Sequence, residues 1–233
     1  MGILSRLTRR NYTENEAPNV AWDQTKDGNE GAERELMEYD GTAYECVVNA
    51  SENGEWEAAF GLAEDRSHQR LFLFQDEVLY STTELERPKL CAVANDGTTL
   101  VASRADWQEI GGEVIVFNRE GDRILTHSCD SNISGVNITP NGRYGAALVL
   151  KPNCKTYLFD CVEGKVVCVH ENHEGNKQLA RFEQVNNEWH LYLSHKNREH
   201  PLYAIDMSGE IAWKSDRFRE EPFSLLKWLK SHM

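Results

Sequence analysis

The chain has 233 residues, 40% of them hydrophobic, with 25 Lys and Arg against 38 Asp and Glu and a formal net charge of −13. That length suits one large domain or two small ones, and the charge disfavours non-specific attraction to nucleic acid or anionic lipid. No apolar run approaches the roughly 18 residues a spanning helix needs.

Six cysteines are present, Cys46, Cys91, Cys129, Cys154, Cys161 and Cys168. The sequence shows no secretory leader, and a chain this long builds a core without staples. Reduced thiols and a cytoplasmic location are therefore expected.

Residues 1–42 read as an N-terminal segment, flexible or packed on the body. Met1 to Arg10 is basic and apolar, with Arg6, Arg9 and Arg10 among Ile3, Leu4 and Leu7. It is a weak candidate for membrane attachment, and Arg6 stands where a myristoylation pattern wants Ser or Thr. Asn19-Val20-Ala21-Trp22 is an apolar island that could add an outer strand to the last repeat and close a ring. Ala32 to Tyr39 is expected to form a short helical turn before the turn signal Asp40-Gly41.

Residues 43–215 carry four similar units. Unit one has strands at 43–48 and 56–62 joined by Asn53-Gly54, then 69–74, then 78–80 after Asp76-Glu77. Unit two runs 89–94, Asp96-Gly97, 99–103, 113–117 and 123–125. Unit three runs 133–138, Pro140-Asn141-Gly142, 144–150, 156–160 and 165–169. Unit four runs 178–182, Asn186-Asn187, 189–193, 202–206 and 210–213. Phe74, Phe117, Phe159 and Ile205 lie 43, 42 and 46 residues apart, and Cys46, Cys91, Val136 and Arg181 fall at intervals of 45. Turn residues that tolerate positive φ repeat in phase with the strands. One such sheet cannot cover both of its apolar faces, so the units must stack.

The Asn-Gly and Asp-Gly turns between first and second strands, and third strands ending Phe159-Asp160 or Ile205-Asp206, resemble the broad β-propeller superfamily, including its WD40-like and quinoprotein-like repeats. The Gly-His and Trp-Asp dipeptides of WD40 repeats are absent, and Trp213 is followed by Lys214. The resemblance covers residues 43–215 and implies an all-β fold: a small β-propeller of about four four-stranded blades, closed or nearly closed. The competing arrangement is an open arc whose edges meet a partner.

Residues 216–233 form the third section, a C-terminal amphipathic helix. Pro222 suits its first turn behind Glu220-Glu221, and Leu225, Trp228 and Leu229 share a face. That face either caps the body or docks a second protein.

No strong catalytic pattern is present. Cys168, His170 and His173 are the densest set of ligand-type residues, but no Cys-x-x-Cys pair supports them. His195 and His200 could pair with Asp206 for acid–base work. Ser194 lacks a nucleophile elbow, and Gly111-Gly112 precedes a strand rather than a helix, so no phosphate loop is expected. Arg66, His68 and Arg70 make a small basic cluster without the interleaved aromatics of single-strand nucleic-acid sites. The loops between second and third strands vary most and are the natural recognition elements. Their candidates are Arg66, His68, Asp106, Trp107, Glu109 and Arg198, joined by Leu225 and Trp228 of the C-terminal helix.

The sequence thus points to a non-enzymatic protein-interaction or scaffold module, a subunit of a larger complex, with protein partners, no nucleic acid, no cofactor and no assigned metal. The alternative is an enzyme or ligand-binding propeller, metal-dependent or not, with Glu45, Cys46, Cys91, Asn137 and Arg181 converging near the axis.

Overall fold

The computed structural model describes residues 10–11, 34–105, 109–173, 175–177, 179–195 and 200–218. They form four antiparallel sheets in chain order. Sheet one has six strands: β1 (Arg10–Asn11), β2 (Arg34–Tyr39), β3 (Thr42–Ala50), β4 (Trp56–Ala63), β5 (Gln69–Gln75) and β6 (Val78–Leu85). Sheet two holds β7 (Pro88–Val93), β8 (Thr99–Arg104), β9 (Gly112–Phe117) and β10 (Arg123–Cys129). Sheet three holds β11 (Ile133–Ile138), β12 (Tyr144–Val149), β13 (Lys155–Asp160) and β14 (Lys165–Glu171). Sheet four holds β15 (Leu179–Val185), β16 (Glu188–Ser194), β17 (Tyr203–Ile205) and β18 (Ile211–Lys214). Each of the four expected units is therefore one meandering sheet.

One expectation fails at the N-terminal side. The stretch expected as a helical turn is strand β2, paired to β3 from Arg34↔Val47 to Tyr39↔Thr42. The cause is the turn itself. Asp40 and Gly41 both take positive φ, 51° and 75°, the geometry of a two-residue hairpin. With Glu35 and Met37 buried and Glu38 exposed, the segment has the two-residue period of a strand. The Asn19–Trp22 island and the C-terminal helix lie outside the described residues.

The sheets stack through alternating apolar faces. Trp56, Ala58, Phe60, Leu71 and Leu73 of sheet one pack against Cys91, Val93, Val101, Ile115 and Phe117 of sheet two. Leu100, Ala102, Val114 and Val116 on the other face of sheet two meet Val136, Ala147, Val149 and Phe159 of sheet three. Ala146, Leu148 and Leu158 then meet Phe182, Leu191, Leu193 and Tyr203 of sheet four. A fully buried Leu or Phe stabilises by about 1.5–3 kcal/mol, so these faces dominate the fold. A fourth cluster, with Met37, Tyr44, Cys46, Phe72 and Phe74, lies wholly on the far face of sheet one and is buried. Among the described residues, no core cluster joins sheet four back to sheet one. The described sheets thus stack in chain order, from sheet one to sheet four, as the expected small propeller requires.

A polar ladder repeats the same order. Asn53 N–H donates to Asn95 Oδ1 at 3.0 Å, and Asn95 N–H donates to the Pro140 carbonyl at 2.9 Å, so the first hairpin turns of sheets one, two and three are linked. The second hairpin turns also dock on the preceding sheet's last strand. Ser81 and Thr83 of β6 donate to the carbonyls of Arg119 and Gly121 at 2.9 and 3.2 Å. Gly164 sits where a Cβ would fall 2.8 Å from the Ile124 carbonyl oxygen of β10, and Gly209 abuts Cys168 of β14. Gly121, Gly164 and Gly209 all have positive φ, 87°, 63° and 86°, so glycine is required there both for backbone conformation and for close approach.

This docking is separable from turn strain. Gly164→Ala meets a fixed backbone atom, whereas Gly54, with φ 75°, has nothing within 4 Å. Gly54→Ala is expected to cost about 1 kcal/mol from conformation alone. Gly164→Ala should cost at least about 1 kcal/mol more, read as a lower urea midpoint. Equal midpoints would mean that the turn does not dock tightly on sheet two.

Candidate functional site

The connections segregate by type. Tight turns such as Asn53-Gly54, Asp96-Gly97 and Asn186-Asn187 lie at one end of the strands. The longer connections that leave β4, β8, β12 and β16, and the inter-sheet links that leave β6, β10 and β14, start from the other. The turn end is acidic, with Glu52, Glu55, Asp76, Glu77, Asp96, Glu163 and Glu210 among its residues. Much of the negative charge therefore sits away from the loops.

At the loop end a cleft opens between sheets one and two. Its inner part, of about 740 Å³, is lined by Glu45, Phe60, Leu62, Lys89, Ile133 and Leu150. Its outer part, of about 880 Å³, reaches Arg66, His68, Glu86, Glu109 and Gly111. Arg87, Ser103 and Arg104 line both. Backbone bonds hold the rim. Arg104 N–H donates to the Arg87 carbonyl at 3.0 Å and Ala105 N–H to the Gly111 carbonyl at 3.2 Å. Arg87 N–H donates to Gln69 Oε1 at 2.5 Å. Arg66 and Arg87 adopt φ of 60° and 49°, a conformation that non-glycine residues adopt at some cost and that often marks working loops. Among the described residues, neither the Arg66 nor the Arg104 guanidinium forms an ion pair.

Three of the sequence candidates, Arg66, His68 and Glu109, thus line one cleft. His68 serves a structural purpose within it. The Tyr44 hydroxyl hydrogen-bonds His68 Nε2, His68 Nδ1 lies 2.6 Å from Ser67 Oγ, and Ser67 Oγ donates to Asp65 Oδ1 at 2.6 Å. With the Ser67 proton on Asp65, Nδ1 is the donor and Nε2 accepts from Tyr44. The imidazole braces the loop with both nitrogens engaged, and those Ser67 bonds hold the Asp65 carboxyl below its usual range. The expected basic cluster does not form, because Arg70 turns away to Glu84 at 2.8 Å. Asp106, Trp107, Arg198, Leu225 and Trp228 lie outside the described residues. Sequence reasoning missed Arg87 and Arg104, which close the same rim. Their signal was their position at strand ends beside the variable loops.

The residues expected to converge on the axis are dispersed. Cys46 faces the far side of sheet one, in van der Waals contact with Gly61. Cys91 lies in the core between sheets one and two, Asn137 Nδ2 donates to the Ala180 carbonyl at 3.1 Å, and Arg181 pairs with Glu183 at 3.3 Å. Glu45 alone reaches the cleft. Asp206 cannot serve His195 and His200: it accepts from Ser208 N–H, Ser208 Oγ and Glu210 N–H in a tight turn, at the opposite end of sheet four.

A second polar cluster packs between sheets three and four. His170 Nδ1 donates to the Gly209 carbonyl at 3.0 Å, and its Nε2 lies 3.2 Å from the Tyr203 hydroxyl. Tyr203 also accepts from His173 N–H at 3.3 Å and lies 3.4 Å from Asn172 Oδ1. Thr156 donates to the same Asn172 oxygen at 2.7 Å. Lys177, fully buried, donates to the His173 carbonyl and lies over the Tyr203 ring at 5.4 Å. Phe218 closes the cluster against Tyr203 and His173. Both His170 nitrogens are thus spent on protein groups, and Cys168 faces Gly209. Among the described residues, no group of three or more His, Cys, Asp or Glu is arranged to hold a metal.

All six cysteines are free. Burial pushes the Cys46, Cys91, Cys129 and Cys161 thiols up to about 12, so they are poor nucleophiles near neutrality.

No protein-family model matches the sequence, and no curated protein matches it. Solved structures do match the fold. A crystal structure of a eukaryotic initiation factor superposes with a TM-score of 0.51 at 9% identity, over 79% of this chain and 52% of that one. The C-terminal WD40 domain of Sif2 gives a TM-score of 0.48 at 10% identity, over 81% and 60%. The chain spans about half the length of the initiation-factor chain. Four consecutive antiparallel meanders, one of six strands and three of four, stacked face to face decide the architecture. The fold is that of a small β-propeller. At such low identities the likeness concerns fold alone.

Two outcomes follow. A thiol reagent at mildly alkaline pH should label only Cys154 and Cys168 in the folded propeller and all six after unfolding. Rapid labelling of a third thiol would contradict the burial described. Burial, foremost, holds His170 below its ordinary value, reinforced by His173 and Lys177 and opposed by the Gly209 carbonyl. The folded state therefore takes up this proton less readily than the unfolded chain. Its stabilising effect is complete above the unfolded value of about 6.5 and is lost as pH falls through the folded value. The urea midpoint should drop between about pH 7.5 and pH 5.5, and less so in His170→Gln. His127, also held down by burial, would supply part of the remaining drop. An identical drop in the variant would clear His170.

Proposed function

We propose that this propeller is a non-enzymatic protein-interaction module, a cytoplasmic subunit of a larger assembly, that takes a partner segment into the loop-end cleft between sheets one and two. A propeller fold hosts many functions, so the reading rests on the site. The observation that carries it is the cleft rim, where Arg66 and Arg104 stand without ion pairs among the described residues on an otherwise acidic protein. Free arginine forks beside apolar walls such as Phe60, Leu62 and Ile133 suit polypeptide recognition. Free cysteines support a reducing compartment. No described helix is long and apolar enough to cross a membrane, and the basic segment 1–10 lies largely outside the described residues.

A second reading is favoured by the cleft's inner part. Its 740 Å³ falls within the size of small-molecule sites, and Glu45 and Lys89 supply polar groups beneath the rim. That reading makes the protein a ligand-binding propeller.

Purification from native cells, with mass spectrometry of bound proteins and small molecules, separates the two. The interaction reading expects a stoichiometric protein partner, lost or weakened at least about tenfold in Arg66→Glu/Arg104→Glu. Full retention by that folded double variant would overturn the cleft as the recognition surface. A bound small molecule without a protein partner would move the assignment to the second reading.

A further inference from the structure

The repeat places equivalent residues at the loop end of successive sheets. Arg87, Asn132 and Lys177 follow one another at intervals of 45 residues, in phase with Cys91, Val136 and Arg181 of the first strands. Arg104, Leu150 and His195 follow at 46 and 45, at or just past the ends of β8, β12 and β16. The first two pairs meet through the backbone. Arg104 N–H donates to the Arg87 carbonyl at 3.0 Å and Leu150 N–H to the Asn132 carbonyl at 2.9 Å, and all four residues line the inner cleft. The third pair closes on itself: Lys177 is fully buried, and its Nζ lies 3.5 Å from His195 Nε2.

We propose that Lys177 and His195 form a pH-sensitive latch, which holds the link after β14 shut over the counterpart of the cleft between sheets three and four and lets go when His195 takes up a proton. Hydrogen bonds set the protonation that the closed form requires. His195 Nδ1 lies 2.9 Å from the Asn176 carbonyl. A carbonyl only accepts, so Nδ1 carries the hydrogen, and Nε2 of the neutral ring presents its lone pair to the Lys177 ammonium. That ammonium also donates to the His173 carbonyl and lies over the Tyr203 ring at 5.4 Å. A proton on Nε2 removes the acceptor and sets two cations 3.5 Å apart, where burial makes their repulsion stronger than in water. The closed form therefore needs the neutral ring, and histidine is the side chain that changes charge in mild acid.

The link is fastened to both sheets, so its release is a local opening between them. Toward sheet three, the Lys177 carbonyl accepts from Ser134 Oγ at 3.1 Å, and Asn176 Oδ1 accepts from Lys151 N–H at 2.8 Å and from Cys154 Sγ at 3.1 Å. Toward sheet four, His195 holds Asn176, and the Tyr203 hydroxyl accepts from His173 N–H at 3.3 Å. Among the described residues, the other charged and titratable groups around the latch are His170, Glu171 and His173 on the β14 side and Lys151 and Cys154 on the β12–β13 side. Sheet four adds Tyr203 and, across Phe218, Lys214. Glu171 favours an added positive charge, and Lys151 and Lys214 oppose it. His170 titrates in the same cluster, but its hydrogen-bond partners are Gly209 and Tyr203 rather than Lys177, so it serves as the control.

Amide hydrogen exchange on the full chain between about pH 7.5 and pH 5.5, corrected for the intrinsic effect of pH, tests the latch. The Asn172 amide, bonded to the Cys154 carbonyl, and the His173 amide report on the link. Their protection should fall at least about tenfold as pH drops, while that of β8 and β12 changes far less. The fall should track the imidazole titration of His195 followed by nuclear magnetic resonance on the native chain, which requires no variant. His195→Gln keeps an acceptor and does not titrate, so it should remove most of the fall, whereas His170→Gln should retain it. Taking away the ammonium in Lys177→Met should let His195 titrate at higher pH than in the native chain. Unchanged protection of the link, a fall that persists undiminished in His195→Gln or that follows His170 instead, or an identical His195 titration in Lys177→Met would each overturn the proposal. None of these outcomes depends on what the first cleft binds.

Discussion

The structure depends on one constraint: a four-stranded sheet has two faces, and an apolar face must be covered by another sheet. Sheets two and three meet that condition on both sides. Sheet one meets it toward sheet two, and the cluster around Tyr44 and Phe72 on its other face is also buried. Sheet four meets it on one side only, and its other face changes from Leu and Val to Arg, Tyr and Trp. The glycines at the second hairpin turns serve the same constraint, since stacking at close range leaves no room for a Cβ beside the preceding strand.

This arrangement also divides the labour between the two ends. The turn end is made of short hairpins whose residues are consumed by their own geometry. Asp206 satisfies three donors of one turn, and Asn53 and Asn95 link neighbouring turns. The loop end has longer connections, a cleft and arginines that the fold does not require for itself. Among the described residues, Arg66 and Arg104 at that end form no ion pair, and the proposed recognition rests on them.

Much of the fold was legible in the sequence because its signals recur. The Asn-Gly and Asp-Gly turns, the Asp76-Glu77 and Asn186-Asn187 hairpins and the four apolar runs per unit all fell where strands and turns occur. Ala32 to Tyr39 misled because Glu, Arg, Leu and Met favour helices on their own, and the pairing with β3 outweighed that preference. The site was less legible. Arg66, His68 and Glu109 were recognisable as loop residues, but His68 looked like a binding group and is a brace, since its partners Tyr44 and Ser67 lie on different elements. The dispersal of Cys46, Cys91, Asn137 and Arg181 could not be read from their 45-residue spacing, because equivalent positions in a repeat need not share a direction or a chemistry.

The central claim is that the described sheets support one another in chain order, from sheet one to sheet four, with no core cluster among the described residues joining the last sheet to the first. Amide hydrogen exchange on the native chain tests it most directly. The account predicts the slowest exchange in β8, β9, β12 and β13, and the fastest strand exchange in β17 and β18 of sheet four. Protection of sheet four equal to that of sheets two and three would contradict it, showing that its outer face is covered within the monomer and that the stack closes on itself.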